Sequence, residues 1–520
     1  MRKVAATFSV LVSLDRSVAA PLHRQIYEAF VAKIADGILR RGQQLPSTRA
    51  LAAELSISRI PVLNAYSQLI AEGYFETCSG IGTFVARELP QSSSPRVYAN
   101  GSPSKSASTP ALLSKFCSRE SMAGAAPWLY GFGAFSAARV TLEQFPSRIW
   151  SKLIAHHASV ISDSDPRFTD PMGLRPLREV IATYLKSTRA VKCDAEQIML
   201  VDGRHQALTV TSQVLFDRGS PVWVEEPGCP AARQVFTMAG CDLVAVPLDN
   251  EGICVARGAE LCERPRAAYV TPSHQFPMGV TMTVARRQQL LDWAHRLGSW
   301  IIEDDWGCEF RYEGMPVASL QGLDTNARVI YIGTFGRNLF PSLRLAYVVI
   351  PRDLVKYFVA ARQSLDLYPA SLFQAVLTDF IQEGHFGRHI RRMRRIYGQQ
   401  REALREGLKD EFRPPLEVSA GEAGTHVVAF LPNGIADREL SLQAARQKLW
   451  LAPLSSCYLG NPRQGFILGF GSASSSDLKA ALSELRRLVR GTRGSGSSHE
   501  ESLPELHQLL SCNGPVRVLG

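Results

Sequence analysis

Paired cysteines are missing from this chain. Its ten cysteines are scattered over 520 residues with no CxxC pair and no Cys/His cluster at zinc-ligand spacing, which argues against a zinc ribbon or a redox dithiol. A reducing compartment is the simpler setting. Long apolar runs are missing as well, since no stretch reaches the roughly 20 residues that a membrane-spanning helix needs. "MRKVAATFSVLVSLDRSVAA" imitates a secretory leader, with Arg2 and Lys3 ahead of a mostly apolar run, but Thr7, Ser9 and Ser13 dilute that run. The expected location is the cytoplasm. Internal repeats at solenoid periods are also lacking.

Apolar residues make up 45% of the sequence, enough for two or three packed domains, because single cores stop growing at roughly 250 to 300 residues. The formal net charge of +10 is compatible with a polyanionic partner without demanding one.

From Pro21, the residues Leu22, Ile26, Tyr27, Phe30, Val31 and Ile34 recur at helical spacing, and Gly37 and Gly42 close the segment. "LPSTRALAAELSISRIPVLNAYSQLIAEGYFETCSGIGTFVA" then predicts helix, tight turn, helix and hairpin. Ser47 is placed to cap the first helix and Ser58 the second, where the early Pro61 lacks an N–H that would be unpaired anyway. Val62, Leu63, Ala65, Tyr66, Leu69 and Ile70 are the expected apolar positions of the second helix. Gly80 and Gly82 shape a hairpin tip between Phe75 and Val85. A helix pair of this size followed by a two-stranded wing can set its second helix in a DNA major groove. Ser47, Thr48, Arg49 and the Gly82–Thr83 end of the wing are then candidates for phosphates, and Arg59 and Asn64 for base edges. A helical protein-interaction module would show the same pattern. Local charge does not separate the two, because residues 21–86 hold six Lys and Arg against five Asp and Glu.

Composition sets four expected regions: residues 1–87 as the helix-turn-helix unit, 88–128 as a Ser- and Pro-rich flexible linker, 129–490 as a large domain and 491–520 as a tail. In the large domain "QIMLVDG", "PVWVEE", "AAYVTPS", "SWIIEDD", "RVIYIGTF" and "LRLAYVVI" are short apolar strands. "GLRPLREVIATYLKST", "RHQALTVTSQVLFD" and "VARRQQLLDWAHRLG" are amphipathic helices. That alternation predicts an α/β domain whose mostly parallel sheet is covered on both faces, with ligands bound where strands end. "TFGRNLFPSLRLAY", Thr334 to Tyr347, follows one such strand and carries Arg337 and Arg344 among Gly336, Pro341 and Ser342, the make of an anion-holding loop.

Nearly all of residues 20–87 resembles the winged helix of GntR-family bacterial transcriptional regulators. One departure is that Ile60 and Pro61 follow Arg59 where such domains carry hydroxyl residues. "FTDPMGLRPLREVIATYL", "VEEPGCPAAR", "VTPSHQFPMGVTM", "IIEDDWGCEFRY", "YIGTFGRNLFPSLRLAYVVIP" and "GHFGRHIRRMRRIYGQQREAL" are similar, in order, to segments of a fold type I aminotransferase as carried by MocR-type regulators. The resemblance spans roughly residues 20–490. It implies a head-to-tail homodimer that binds operator DNA and uses pyridoxal phosphate (PLP) to sense vitamin or amino-compound status.

In that family the loop matching "TFGRNLFPSLR" carries a lysine that forms a Schiff base with the PLP aldehyde, and an arginine seven residues later that holds the phosphate. Here Arg344 is kept, whereas position 337 is arginine, whose delocalised and permanently protonated group cannot act as an amine nucleophile. Other family positions differ too. Arg204 and His205 stand in the phosphate turn "DGRHQA", and Cys229, Phe168 and Trp306 each replace a tyrosine. Asp304, matching the partner of the pyridine nitrogen, is retained beside Asp305. Three occupancies follow: Arg337 paired with Asp304 or Asp305; an anionic effector ringed by Arg204, Arg337 and Arg344; or PLP held noncovalently by Arg344 and Asp304. None involves transamination or a metal. The run "GRHIRRMRRIYGQQREALRE" is expected to be a solvated structural face, and His274 of "HQFP" a pocket-shaping residue.

Overall fold

Phe30, Tyr66 and Phe75 meet edge to face at 5.8, 5.3 and 5.1 Å between ring centroids and make the centre of the first core. They come from three elements spaced along the sequence, so burying them together closes the helix-turn-helix on its wing. The computed structural model describes residues 12, 14–15, 20–78, 80–89, 126–137, 139–160, 170–314, 317–419 and 421–492. It divides into two units, residues 1–112 and 113–520. Of the expected linker, residues 90–125 fall outside the described residues, as do 493–520 of the tail and most of the leader-like segment.

The first unit contains α1 (Leu22–Ala35), α2 (Thr48–Glu54), α3 (Arg59–Ala71), β1 (Phe75–Cys78) and β2 (Gly82–Val85). The strands pair antiparallel with Phe75 opposite Val85 and Cys78 opposite Gly82. Ser47 caps α2 by accepting from the Ala50 N–H at 3.2 Å, whereas Ser58 makes no cap bond at α3. Val62, Ala65, Tyr66 and Leu69 of α3 are buried as expected. Leu63 and Ile70 are not: they are 43% and 37% exposed, and Ile60 is 70% exposed, because the core touches only one stripe of this helix.

In the second unit the helices are α4 (Ser147–Ser159), α5 (Arg175–Arg189), α6 (Arg204–Leu215), α7 (Pro230–Met238), α8 (Val255–Leu261), α9 (Val284–Leu297), α10 (Leu320–Leu323), α11 (Val355–Leu365), α12 (Leu372–Gln382), α13 (His385–Glu411), α14 (Asp437–Arg446) and α15 (Ser475–Thr492). Its main sheet contains β3 (Ile198–Val201), β4 (Pro221–Glu226), β5 (Asp242–Asp249), β6 (Gly252–Ile253), β7 (Ala267–Val270), β8 (Trp300–Asp304), β9 (Val329–Thr334) and β10 (Ala346–Val349). The strand order is β3-β10-β9-β8-β7-β4-β5-β6, with β5, β4, β7, β8 and β9 parallel and β10 reversed between β3 and β9. Alternation splits each strand between two cores. Met199 and Val201 join Leu208 of α6, Phe236 of α7 and Phe358 of α11, while Ile198 and Leu200 join Ile181 and Leu185 of α5.

A second, antiparallel sheet has the order β11 (His426–Phe430), β13 (Gly465–Gly469), β12 (Ala452–Pro453). This places His426 against the loops that leave the main sheet. Among the described residues no helix is long and apolar enough to cross a membrane.

Candidate functional site

In the first unit the starts of α2 and α3 are tied together: Arg59 Nε donates to Thr48 Oγ1 at 3.0 Å. That bond orients the guanidinium and leaves its two terminal nitrogens for a partner. Ser47, Arg49, Asn64 and Gly82 are exposed, with Thr48 and Thr83 half-buried. Ile60 and Asn64 are four residues apart and share an exposed stripe of α3. The wing is held to the strand-like residues before α2, since Leu45 N–H donates to Thr83 O at 2.8 Å and Gln44 Nε2 to Ile81 O at 3.1 Å. The loop is therefore positioned by one backbone bond and one bond from the Gln44 side chain.

In the second unit, Asp304 ends β8, and Tyr269 on the neighbouring β7 donates its hydroxyl to Asp304 Oδ2 at 2.6 Å. Arg204 reaches the same oxygen from the first residue of α6 at 3.4 Å. Gly203, at φ 93°, makes the backbone turn that starts α6 there. His205 lies beside both Arg204 and Arg344, and burial together with those two cations holds its ring below the usual imidazole range. Arg344 itself has φ 48° and donates to Asp202 O at 3.1 Å.

Arg337 does not form the ion pair with Asp304 or Asp305 that was one of the three expectations. Asp305 is taken by Arg189 Nε at 2.7 Å and by the Tyr331 hydroxyl at 2.6 Å, on the other side of β8. Among the described residues the Arg337 guanidinium instead sits 4.6 Å over the Trp306 ring, with one weak 3.5 Å contact to Ala137 O. Burial, with Arg204 nearby, lowers its pKa to about 10, so it remains charged at neutral pH. Cys229 is buried beside Arg204, Tyr269 and Arg337. Phe168 lies outside the described residues.

Trp306 is stacked on His426 at 5.8 Å with 7° between planes, and His274 meets both edge-on. Among the described residues both ring nitrogens of His274, Trp306 Nε1 and His426 Nδ1 are buried without a hydrogen-bond partner. Gly424 lets His274 sit there, because a Cβ at that position would lie 2.1 Å from its Nε2. His274 thus packs against the Trp306 and His426 rings. Tyr269, His426 and Arg189 were not anticipated. Tyr269 had a usable signal, a hydroxyl-bearing residue in an otherwise apolar strand, whereas nothing local marks His426.

The His426 ring donates through Nε2 to Pro277 O at 2.9 Å and is pushed down to about 4, chiefly by burial and also by Arg337. As pH falls below about 6.5 the unfolded chain takes up this proton before the folded one, so stability present above that pH is lost toward pH 4. The advantage of the native protein over His426→Gln is expected to shrink by about 3 kcal/mol between pH 7 and pH 4. Urea unfolding at both pH values measures it, and a pH-independent difference would remove the assignment.

Comparison with known proteins places both units. Residues 22–85 match the gntR family of bacterial regulatory proteins, and residues 147–471 match aminotransferase class I and II, a pyridoxal-phosphate-dependent family. The chain is 34% identical over 490 residues, 94% of its length and 97% of the relative's, to the "Probable rhizopine catabolism regulatory protein MocR" of Rhizobium meliloti. It is 28% identical over 480 residues, covering 92% and 98% of the two chains, to the "HTH-type pyridoxine biosynthesis transcriptional regulator PdxR" of Corynebacterium glutamicum. The solved structure of LysN, an alpha-aminoadipate aminotransferase from Thermus thermophilus, matches 74% of this chain and 98% of its own at 25% identity with a TM-score of 0.67. With a gntR winged helix followed by an aminotransferase fold, and a relative aligned over almost its whole length, the chain belongs to the MocR-type GntR transcriptional regulators.

Proposed function

We propose that this regulator binds an operator duplex through the first turns of α2 and α3 and the wing, acts as a head-to-tail homodimer in the cytoplasm, and responds to a small anion held without a covalent bond. The carrying observation is the gathering of Arg204, His205 and Arg337 around a single carboxylate, Asp304, with the exposed Arg344 beside His205. Guanidinium forks bind carboxylates and phosphates through paired, charge-assisted bonds. The homodimer is supported by Leu129, Tyr130, Phe132 and Leu142, each more than half exposed in the isolated chain.

Pyridoxal phosphate is the group its family implies, and the residues suit only part of it. Arg344, Arg204 and His205 suit the phosphate, while the attachment position holds a guanidinium that cannot condense with an aldehyde. Asp304 Oδ2, the expected partner of the ring nitrogen, already accepts from Tyr269 and Arg204. Lys356 is no substitute, since its ammonium sits 4.8 Å over the ring of its neighbour Tyr357. The reading is therefore noncovalent binding without transamination.

Calorimetric titration with PLP and with pyridoxine 5'-phosphate, which lacks the aldehyde, tests this. Equal affinities, no borohydride-fixed pyridoxyl group, and a roughly tenfold or greater loss in Arg344→Ala are expected, the loss matching one charge-assisted contact. A reduced adduct on any lysine of the second unit would overturn the reading. Arg337→Lys is expected to restore attachment only weakly, because Trp306, Cys229 and Phe168 remain.

A further inference from the structure

Asp304 and Asp305 are neighbours in sequence, so they face opposite sides of the strand end, and Asp305 backs a different cavity. That cavity is about 340 Å³, within the range of small-molecule sites (roughly 300–1,000 Å³), and lies between α5, α13 and the loop after β8. Among the described residues Arg189, Arg287, Arg311, Arg391 and Arg394 all line it, against one acid, Glu309.

Two of these arginines are committed to the fold. Arg189 is held by Asp305, Ser273 and Val317 O, and Arg287 by three backbone carbonyls with Glu303 at 3.7 Å. The other three are not neutralised to the same degree. Among the described residues Arg394 donates only to the Glu309 carbonyl, and Arg311 meets Thr281 and the part-exposed Glu422 while its Nε is buried without a partner. Arg391 has no hydrogen bond or ion pair among the described residues. Across from them Tyr184 and Phe386, edge to face at 5.5 Å, make an apolar wall.

We propose that this cavity is a second ligand site, separate from the one around Arg337, and that it takes an organic monocarboxylate with an apolar body. The carboxylate meets the fork of Arg391 with Arg394 or Arg311, and the body lies against Tyr184 and Phe386. Two parts of the arginine-rich run on α13 are thereby assigned, whereas the sequence reading had it as a solvated face. Arg388, Arg391, Arg392, Arg394 and Arg395 are all exposed in keeping with that reading, Arg391 and Arg394 at the rim of the cavity, whereas Arg401 is buried, pairing with Glu313 and lying 5.4 Å from the Tyr312 ring.

The test uses the full-length protein and 3-phenylpropionate as probe, followed by calorimetry or ligand-observed NMR, with 3-phenylpropanol and inorganic phosphate as controls. Saturable binding of the acid, at least tenfold weaker binding of the alcohol and of phosphate, and at least a tenfold loss in Arg391→Ala/Arg394→Ala are expected. Arg344→Ala, in the other site, should leave the affinity within twofold. No saturable binding would mean a water-filled cavity and overturns the proposal. So would phosphate binding as well as the acid, or a loss in Arg344→Ala in place of the α13 variant. Circular dichroism of the double variant separates a binding defect from misfolding, and a single Arg391→Gln, at an exposed position, repeats the test if the double variant is unfolded.

Discussion

Replacing Arg189 by methionine is expected to destabilise the aminotransferase-like unit by about 3–5 kcal/mol, the scale for removing one partner of a buried ion pair. The side chains of Arg189 and Asp305 are 8% and 0% exposed, and Asp305 is left with only the neutral hydroxyls of Tyr331 and Ser273 among the described residues when the guanidinium goes. Arg189 also donates to Ser273 Oγ at 2.5 Å, so the loss removes a second charge-assisted bond. Urea unfolding followed by tryptophan fluorescence reads the change. Arg189→Met/Asp305→Asn should recover part of it, because the uncompensated charge is then gone. A single-variant loss below about 1 kcal/mol, typical of an exposed pair, would mean the pair is not buried in solution.

Arg59→Ala is expected to weaken operator binding by about 1–3 kcal/mol if the guanidinium meets a base, roughly a five- to 150-fold rise in Kd. The operator can be obtained by selection from random duplexes, and affinity measured by fluorescence anisotropy. Thr48→Ala should reproduce a smaller part of the effect, since it frees Arg59 from its 3.0 Å bond without removing the charge. Arg49→Ala, at a phosphate, should weaken all duplexes alike and reduce the slope of log K against log salt by about one. Native affinity in both arginine variants would take the DNA contact away from these helix starts.

Most of the framework was legible because it is local. The six apolar runs became strands β3, β4, β7, β8, β9 and β10, and the three amphipathic stretches became α5, α6 and α9, since burial on a sheet needs that alternation in the sequence itself. The cluster of Arg204, His205, Arg337, Arg344, Asp304, Trp306 and Cys229 was legible only through resemblance, and these side chains are brought together. Long-range choices were hidden. Which of two adjacent aspartates would meet Arg189, 116 residues earlier, depends on the side of β8 each one faces. His426 arrives from a separate small sheet, and its stacking on Trp306 leaves no trace in either stretch of sequence. On α3, Leu63 and Ile70 match a helical apolar period yet point away from the core, because period fixes neighbours along a helix and not which stripe is covered.

The segment between β9 and β10 is clamped at both ends, with Thr334 laddered to Ala346 and Tyr331 to Val349. Arg337 and Arg344 therefore sit on one closed excursion whose circumference is set by chain length alone. Adding or deleting a single residue between them would turn one guanidinium relative to the other while the strands stayed in place. Loop length here acts as a caliper, setting how far apart the two guanidiniums can stand.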